Sequence, residues 1–515
     1  MISESSPSFS RTIGVLLHPS ALPLSPVLGS FGEPSREWIK ALAGNGIGVW
    51  QFLPLAPPDE TGSPYSSPSS FAFNPFFLDA NDLAKEGFIS LSSIDALPGA
   101  NELSPSSVDF NLANKRSESL GRLLTESWSR QDANRHRQFK DWCEQQFWLE
   151  DHVCFMELRR QHNGLPWWKW PKAFAVRNQI FLQFWKRKNY KNLLEHRLMQ
   201  WHLDRQWNVL KKLANELGVL LFGDMPFYVS RDSADVWSRR FLFSILPEGE
   251  LEEQSGVPPD YFSDTGQLWG TPVYRWDRHR ATGFRWWRKR VTRHLQQVDL
   301  LRLDHFRALD SYWSVPGISE TAQEGAWKHS PGVDLLRSLS DDFGGRLPLI
   351  AEDLGVITSE VEKLRDQFGL PGMKVLQFAF DEDENNPYLP ENFKGDRWVV
   401  YTGTHDNPTT LSWWNSLDID KRERIIRMSK DWVEAPGWKL IDIGLKTNAR
   451  LFVAPLQDLL SLDDVARFNK PGTNKDNWNW RLNSLDSDLF KVLNDYGKRG
   501  SVWGRSAEGI ATLFD

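Results

Sequence analysis

The sequence has few cysteines, no long apolar run and no excess of positive charge. Two cysteines in 515 residues, Cys143 and Cys154, cannot form a disulfide framework for a chain of this size, which predicts a reducing compartment. No stretch approaches the roughly 20 apolar residues of a membrane span. The N-terminus also lacks a basic start followed by an apolar run. We therefore predict a cytoplasmic protein without a membrane partner.

The net charge of the chain argues against a nucleic-acid partner. The formal net charge of −6 is mildly acidic, whereas a nucleic-acid backbone selects a strongly basic face. We predict no nucleic-acid partner and a ligand that is neutral or small. Composition leaves the oligomeric state open.

The chain is long and rich in tryptophan. Its 515 residues exceed the usual domain of about 100–200 residues, so we expect either several domains or one barrel with large insertions. Tryptophan occurs 26 times, often in pairs. Most of these rings are expected to fill the core, while the flat faces of others suit stacking on the apolar face of a hexose.

Eight short apolar runs, each bounded by Gly or Pro and followed by a polar or helical stretch, show the alternation typical of βα units. Eight parallel strands with helices between them predict the α/β class and a closed (β/α)₈ TIM barrel, which takes roughly 250 residues. The predicted strands are Gly14–His18, Gly48–Pro54, Val219–Asp224, Leu300–Asp304, Leu349–Glu352, Lys374–Phe380, Trp398–Thr402 and Leu451–Pro455.

The rest of the chain is predicted to lie in insertions of one barrel unit that spans residues 1–515. Residues 80–217 follow the second strand and are polar with helical periodicity, which predicts a helical insertion. Residues 228–297 follow the third strand and are predicted to form a second insertion, because one βα step needs only ~30 residues. This second insertion carries an aromatic loop at residues 258–272.

Four acids stand at the ends of predicted strands: Asp224, Asp304, Glu352 and Asp406. Barrel enzymes place their catalytic groups at the carboxyl ends of strands, so acids there are stronger candidates than acids on helices. A single acid is more often a helix cap or a salt-bridge partner. Four of them at strand ends favour a catalytic site.

Two of these acids are predicted to differ in protonation. Arg302 lies two residues before Asp304 and therefore points to the same side of the strand, where its charge is expected to keep Asp304 ionised. Glu352 has no adjacent cation and is followed by Asp353, which predicts a raised pKa and a proton-donor role. One proton donor and one ionised nucleophile are the requirements of glycoside chemistry.

The motifs resemble those of the amylomaltases, also called 4-α-glucanotransferases or disproportionating enzymes, within the α-amylase clan. The resemblance spans nearly the whole chain, and although each motif is weak alone, their set and order are specific. The segments that carry it are 63–65 (SPY), 223–229 (GDMPFYV), 232–237 (DSADVW), 258–263 (PPDYFS), 265–267 (TGQ), 269–270 (WG), 302–306 (RLDHF), 351–355 (AEDLG), 404–406 (THD) and 471–473 (PGT).

The resemblance implies a retaining transferase that moves α-1,4-glucan segments from a donor malto-oligosaccharide to the 4-OH of an acceptor glucan or glucose, without a cofactor. It implies that Asp304 is the nucleophile, Glu352 the general acid/base and Asp406 the acid that grips the donor sugar. It also implies that four residues line the donor subsite: Tyr65, Asp224, Arg302 and His405. Three aromatic residues of the loop 258–272 are implied to bind the acceptor: Tyr261, Phe262 and Trp269.

The chain departs from the family pattern at three positions. It has Thr271 where Asn often follows Trp-Gly, Phe73 where Gly often precedes Asn-Pro, and Phe468 in place of a common Met. None of these departures removes a catalytic acid, so they bear on acceptor preference and loop mobility.

Three alternatives stay open at this point. A hydrolase would use the same acids with water as acceptor, and a non-catalytic glucan-binding protein would keep the aromatic rings without needing all three catalytic acids. His305 and His405 are also candidate metal ligands beside Asp304 and Asp406. Against a metal site, the chain has no HExxH and no paired CxxC motif.

Two other classes of site are not supported by the sequence. The chain has no GxSxG motif, which a serine hydrolase needs for its nucleophile. Gly44, Gly46 and Gly48 precede a predicted strand, whereas the glycine-rich loop of a dinucleotide site follows a strand.

Overall fold

The centre of the fold is a ring of parallel strands. The structure is a computed structural model that describes residues 11–101, 106–259, 264–428 and 435–506. The strands within those ranges are β1 (Thr12–Leu16), β2 (Val49–Gln51), β3 (Leu220–Met225), β4 (Glu253–Val257), β5 (Gln267–Pro272), β6 (Leu300–Leu303), β7 (Ser311–Pro316), β8 (Ala326–His329), β9 (Leu349–Ala351), β10 (Gly372–Val375), β11 (Trp398–Tyr401) and β12 (Leu451–Pro455).

Eight of these strands form one parallel sheet in the order β10-β11-β12-β1-β2-β3-β6-β9. The two ends of the sheet meet where the Ala351 N–H donates to the Pro371 carbonyl at 2.8 Å. Asp353 strengthens this closure, because its carboxylate accepts from the Met373 N–H at 2.7 Å. Gly372 allows the close approach, since a Cβ there would lie 2.6 Å from Asp353 Oδ2. The predicted TIM barrel is confirmed.

The barrel strands are buried almost throughout, as expected for parallel strands covered on both faces. Two predicted strands are too long at their carboxyl ends. Gly48–Pro54 is a strand only at Val49–Gln51. Lys374–Phe380 is a strand only up to Val375, in β10 (Gly372–Val375), and a 3₁₀ turn follows at Leu376–Phe378. Gln377 holds this turn, since its side-chain amide donates to the Pro408 carbonyl at 3.0 Å. The turn buries Leu376, so the run stays apolar although the strand has ended.

Helices surround the barrel and fill the segments between its strands. No helix in the described ranges has the length and apolar character that a bilayer span requires. In chain order the α-helices of those ranges are α1 (Glu33–Gly44), α2 (Ala80–Lys85), α3 (Phe110–Trp128), α4 (Ala133–Gln145), α5 (Leu149–Gln161), α6 (Lys172–Ala175), α7 (Gln179–Lys188), α8 (Tyr190–Glu216), α9 (Ala234–Ser238), α10 (Trp276–Ala281), α11 (Arg285–Gln297), α12 (Gly332–Asp342), α13 (Ser359–Gln367), α14 (Thr410–Ser416), α15 (Ile419–Met428), α16 (Pro436–Lys446), α17 (Leu456–Leu459) and α18 (Ser487–Val502).

The segment between β2 and β3 contains helices α2 to α8. Asp79, Asp109 and Asp132 begin three of them, each accepting a hydrogen bond from a backbone N–H in the first helical turn. The long helix α8 packs against α3, α4 and α5. Its Trp207 ring lies 4.6 Å from the ring of Phe31, which is located between β1 and α1. The boundaries 80–217 and 228–297 stay predictions.

A second, antiparallel sheet of four strands has the order β5-β4-β7-β8. It was missed from the sequence, which predicted only a loop at residues 258–272. Two of its strands, β4 and β5, lie in the segment between β3 and β6, and the other two follow β6. Because β7 begins shortly after Asp304, this sheet stands beside the carboxyl end of the barrel.

Candidate active site

Acidic and aromatic side chains converge at the carboxyl end of the barrel. Asp224 lies near the end of β3, Asp304 directly after β6 and Glu352 directly after β9. Asp406 lies in the loop after β11 and Tyr65 in the loop after β2. Strands of a parallel barrel end on the same side, so five separate segments of the chain supply one mouth.

Arg302, near the carboxyl end of β6, contacts two of these acids. It is buried, and its Nη1 lies 2.9 and 2.8 Å from the two carboxylate oxygens of Asp224. Its Nη2 lies 2.8 Å from Asp304 Oδ1. The Asp304 side chain is 30% exposed, so the carboxylate is partly accessible from the cleft. The guanidinium therefore orients an accessible carboxylate and offsets its charge.

Tyr65 completes this network from the opposite side. Its hydroxyl donates to Asp224 Oδ2 at 2.8 Å. Burial raises the pKa of the Tyr65 hydroxyl well above its usual value, and the neighbouring Asp224 carboxylate raises it further. Tyr65 is therefore a fixed donor at neutral pH, and Asp224 accepts hydrogen bonds from both Tyr65 and Arg302.

Glu352 is held against the end of the neighbouring strand. Strands β6 and β9 pair in register with Leu303 opposite Ala351, which places Asp304 and Glu352 side by side. Glu352 accepts from the His305 N–H at 2.8 Å and from the Leu354 N–H at 3.3 Å.

The protonation of Glu352 differs from that of an ordinary glutamate. Burial raises the pKa of Glu352 to about 7, and although Arg302 opposes this shift, the Asp304 charge adds to it. A carboxyl group with this pKa is partly protonated at neutral pH, as a general acid and base must be.

His305 supports Glu352 through its backbone and contacts an exposed tryptophan through its ring. Its φ of 48° lies in the left-handed region, which turns the chain sharply after Asp304. Burial lowers the pKa of His305 to about 4, so the ring is neutral at physiological pH. The edge of this ring meets Trp269 of β5 at a centroid distance of 4.9 Å and an angle of 88°. Trp269 is 38% exposed and therefore presents aromatic surface beside the two acids.

Asp406 and His405 form the other wall of the mouth. His405 Nε2 lies 3.3 Å from Asp406 Oδ1, and its ring stacks on Tyr65 at 5.1 Å with an interplanar angle of 11°. Asn469 Nδ2 donates to the same Asp406 oxygen at 2.6 Å. The Asp406 side chain remains 44% exposed, so it is fixed on one side and open to a ligand on the other.

Sequence reasoning missed the roles of Asn469 and Trp478 at this wall. Asn469 reaches Asp406 from the loop after β12, and the Trp478 ring lies 5.8 Å from Tyr65. Neither residue follows a barrel strand directly, so the strand-end rule could not find them. Phe468, one of the three departures, packs edge-on against His18 at 6.3 Å, next to this wall.

The other predicted residues have different outcomes. Tyr261 and Phe262 lie outside the described residues. Thr271 lies on β5, with its hydroxyl 2.5 Å from the Ser255 hydroxyl, and Phe73 packs in the core against Phe31. Across the described ranges, no group of three or more His, Cys, Asp or Glu side chains is arranged to hold a metal ion.

Chemically, the mouth offers three functions at once. An accessible carboxylate oriented by Arg302 can attack an electrophilic carbon. A neighbouring carboxyl with a pKa of about 7 can give and take a proton. The open Asp406, the Tyr65 and His405 rings and the exposed Trp269 can bind the hydroxyl groups and apolar faces of a sugar chain.

Comparison with known proteins gives consistent matches over almost the entire chain. Residues 17–486 match the model of the glycoside hydrolase family described as 4-alpha-glucanotransferase. A 4-alpha-glucanotransferase of Synechocystis sp. is 41% identical over 499 residues, which cover 95% of this chain and 98% of the relative. A 4-alpha-glucanotransferase of Thermus thermophilus is 41% identical over 483 residues, covering 92% and 95%.

A solved structure agrees with these sequences. An amylomaltase from Streptococcus agalactiae in complex with acarbose superimposes with a TM-score of 0.91 at 30% identity, covering 96% of this chain and all of that chain. The fold, the family model and the relatives agree, and the chain belongs to the 4-alpha-glucanotransferase family.

Proposed function

We propose that this 4-alpha-glucanotransferase transfers α-1,4-glucan segments by double displacement, with Asp304 as nucleophile and Glu352 as general acid and base. The observation that carries the proposal is the pairing of two carboxyl groups in different environments on adjacent strand ends. Asp304 is partly exposed and contacts Arg302, whereas burial raises the pKa of Glu352 to about 7. Such a division is the requirement of a retaining mechanism.

In the first step, protonated Glu352 donates its proton to the glycosidic oxygen while an Asp304 oxygen attacks the anomeric carbon. The bond to the leaving sugar breaks, a glycosyl ester forms on Asp304, and Glu352 becomes a carboxylate. Arg302 remains bound to Asp224 throughout and stabilises the Asp304 carboxylate before the attack.

In the second step, the Glu352 carboxylate removes the proton of the 4-OH of an acceptor glucan. That oxygen attacks the anomeric carbon, the ester bond to Asp304 breaks, and Glu352 is protonated again. Two inversions restore the α configuration. One proton moves out and back, so these steps need no metal and no cofactor.

We assign the wall formed by Tyr65, His405 and Asp406 to the donor sugar. Asn469 and His405 both contact Asp406 at Oδ1, which leaves Oδ2 to accept hydrogen bonds from sugar hydroxyls. Trp269, on the opposite side next to His305, is assigned to the acceptor sugar. The related amylomaltase was solved in complex with acarbose, which supports oligosaccharide binding by this fold.

The experiment that tests the proposal is incubation of the protein with maltotriose alone. A transferase yields glucose together with a ladder of longer oligosaccharides, whereas a hydrolase with the same acids yields only shorter sugars. A non-catalytic glucan-binding protein leaves maltotriose unchanged. The cytoplasmic location and the lack of a nucleic-acid partner stay predictions from composition.

A further inference from the structure

One stretch of the helical insertion differs in charge from the rest of the chain. Residues 158–194 contain nine Lys and Arg side chains and no Asp or Glu, although the whole chain carries a net charge of −6. Exposed lysines and arginines are stable in water by themselves, so such a stretch indicates a ligand only where its cations lie beside exposed apolar side chains. The structure shows which of the nine are paired.

The inner members of this set have acidic partners from other segments. Arg177 lies 2.6 Å from Asp151, and Lys186 lies 3.4 Å from Glu150. Arg159 and Arg160 also lie in ion pairs. In contrast, Lys169, Lys172, Arg187, Lys188 and Lys191 are exposed and form no ion pair with any residue in the described part of the chain.

Helix α7 carries an apolar stripe in the middle of these cations. Ile180, Phe181 and Phe184 are 68%, 58% and 67% exposed. Together with Arg187 and Lys188 they share one side of the helix, because their positions are three, four and seven residues apart. We call these five residues the α7 face.

The helix is fixed to the protein by its other side. Leu182 is buried, and Trp185 Nε1 donates to Gln161 Oε1 at 3.0 Å. Asn178 begins the helix by accepting from the Ile180 and Phe181 N–H groups. The exposed rings are therefore not the result of a loosely attached helix, since the inward side chains hold α7 in place.

We propose that the α7 face binds peripherally to an anionic lipid surface. A short amphipathic helix with Phe and Ile on its outer side and Lys or Arg beside them has the composition of an interfacial membrane helix. The apolar side chains would enter the headgroup region, while Arg187 and Lys188 contact lipid phosphates. The sequence predicted no membrane partner because it lacks a span, but peripheral binding requires none.

Other occupants fit these observations less well. A second copy would bring two sets of unpaired cations together across a twofold axis, where they repel. A nucleic-acid backbone would neutralise the cations but leave the apolar side chains of Ile180 and Phe184 without a partner. A neutral glucan would stack on the rings but gain nothing from the cations. An acidic polypeptide is the remaining competitor, and the test separates it.

The test is co-sedimentation of the full chain with vesicles of phosphatidylcholine alone and of phosphatidylcholine with phosphatidylglycerol. We expect binding only to the anionic vesicles, weakened by added salt. The double variant Phe181→Ser/Phe184→Ser should weaken vesicle binding about tenfold or more, because two exposed rings no longer enter the lipid. Arg187→Glu/Lys188→Glu should weaken it to a similar degree.

Matched controls change the same chemistry elsewhere. Leu91 and Val502 are exposed at 72% and 78%, so Leu91→Ser/Val502→Ser removes apolar surface outside the α7 face. Lys140→Glu/Lys212→Glu gives the same change in net charge as the Arg187/Lys188 reversal. Both controls should bind vesicles like the unaltered protein, and all variants should keep the maltotriose activity that reports a folded barrel.

Three outcomes would overturn the proposal. One is the absence of preferential binding to anionic vesicles, whether the protein binds both kinds of vesicle equally or neither. Another is loss of binding in the control variants to the same extent as in the α7 variants. The third is preference of the unaltered protein for polyglutamate over anionic vesicles in a competition experiment, which would assign the face to an acidic polypeptide.

Discussion

The backbone N–H of His305 donates to Glu352 Oε2 at 2.8 Å, so the residue after the proposed nucleophile holds the proposed acid. His305 has a left-handed φ of 48°, so the chain turns sharply directly after this N–H, which bridges the ends of strands β6 and β9. The proposed acid is therefore positioned by the end of the strand that carries the proposed nucleophile. A change at the end of β6 is expected to disturb both groups.

Asp304→Asn is expected to abolish turnover. The amide keeps the shape of the side chain but cannot form the glycosyl ester, so the loss in kcat should be on the order of 10³-fold or more. The measurement is disproportionation of maltotriose. A circular dichroism spectrum and melting temperature like those of the unaltered protein would establish that the variant is folded. Substantial transfer by a folded Asp304→Asn protein would exclude Asp304 as the nucleophile.

Glu352→Gln is expected to be as damaging with natural glucans but less so with an activated donor. A leaving group such as fluoride departs without a proton, so the first step no longer needs the Glu352 acid. The relevant measurement is the rate of fluoride release compared with the rate of maltotriose cleavage by the same variant. If the activated donor gives no relative recovery, Glu352 is not the general acid.

The pH dependence should follow Glu352. Because its pKa is raised to about 7, the proton required for the first step is lost as the pH rises through about 7, and kcat/KM for donor cleavage should fall there. The profile should be measured with maltotriose and with an activated donor. The activated donor should lack this alkaline limb in the step that releases its leaving group.

The raised pKa of Glu352 also predicts how the free energy of unfolding depends on pH. Its folded value of about 7 exceeds the usual 4.5, so the folded state binds the proton more tightly. The resulting stabilisation is complete below pH 4.5, declines up to about 7 and is absent above it, which amounts to at most about 3 kcal/mol. Glu352→Gln should therefore raise the free energy of unfolding at pH 8 relative to the unaltered protein. No gain at pH 8 would contradict the raised pKa.

Asn469→Ala should weaken donor binding without changing the chemistry. Asn469 donates to Asp406 Oδ1 at 2.6 Å and acts as a positioning residue for that carboxylate. Loss of one such bond to a charged group costs roughly 1.5–3 kcal/mol, so we expect roughly a tenfold or greater fall in kcat/KM, mainly through KM. Asn469→Asp, which adds a like charge beside Asp406, should be worse. Unchanged KM in Asn469→Ala would show that Asp406 needs no such support.

The strand-end acids could be predicted because the βα alternation determines where a barrel strand ends, and the barrel gathers all those ends at one mouth. Asp224, Asp304 and Glu352 lie on or next to strands whose apolar runs are short and clear. The Lys374–Phe380 strand was too long because an apolar run does not show where Gln377 turns the chain. Asn469 was missed because its contact with Asp406 joins two loops.

The antiparallel sheet could not be predicted for a related reason. Its strands β4 and β7 pair although strand β6 of the barrel lies between them in the chain. Strand β5 contains Gly270 and ends at Pro272, which read as loop residues, and β8 is largely exposed. Such strands are determined by distant partners rather than by their own pattern.

Asp304 and Glu352 do not decide between transfer and hydrolysis, because the two acids serve both reactions. Water is always abundant, so a transferase must hold the acceptor sugar at the glycosyl enzyme long enough for its effective concentration to prevail. Trp269 stands beside His305 with its ring 38% exposed, and the predicted acceptor residues Tyr261 and Phe262 precede it in the same segment.

Trp269→Ala, Tyr261→Ala and Phe262→Ala should each lower the ratio of transfer to hydrolysis more than they lower total donor cleavage. The reason is that donor attack depends on the acids and the Asp406 wall, whereas only the acceptor step depends on these rings. Product ratios from maltotriose measure this, and Trp327→Ala is the matched control. Trp327 is a similarly exposed ring on β8, at the far edge of the same sheet, where it packs under Arg307. If Trp327→Ala shifts the ratio as much as Trp269→Ala, the effect belongs to the sheet as a whole and not to an acceptor site beside His305.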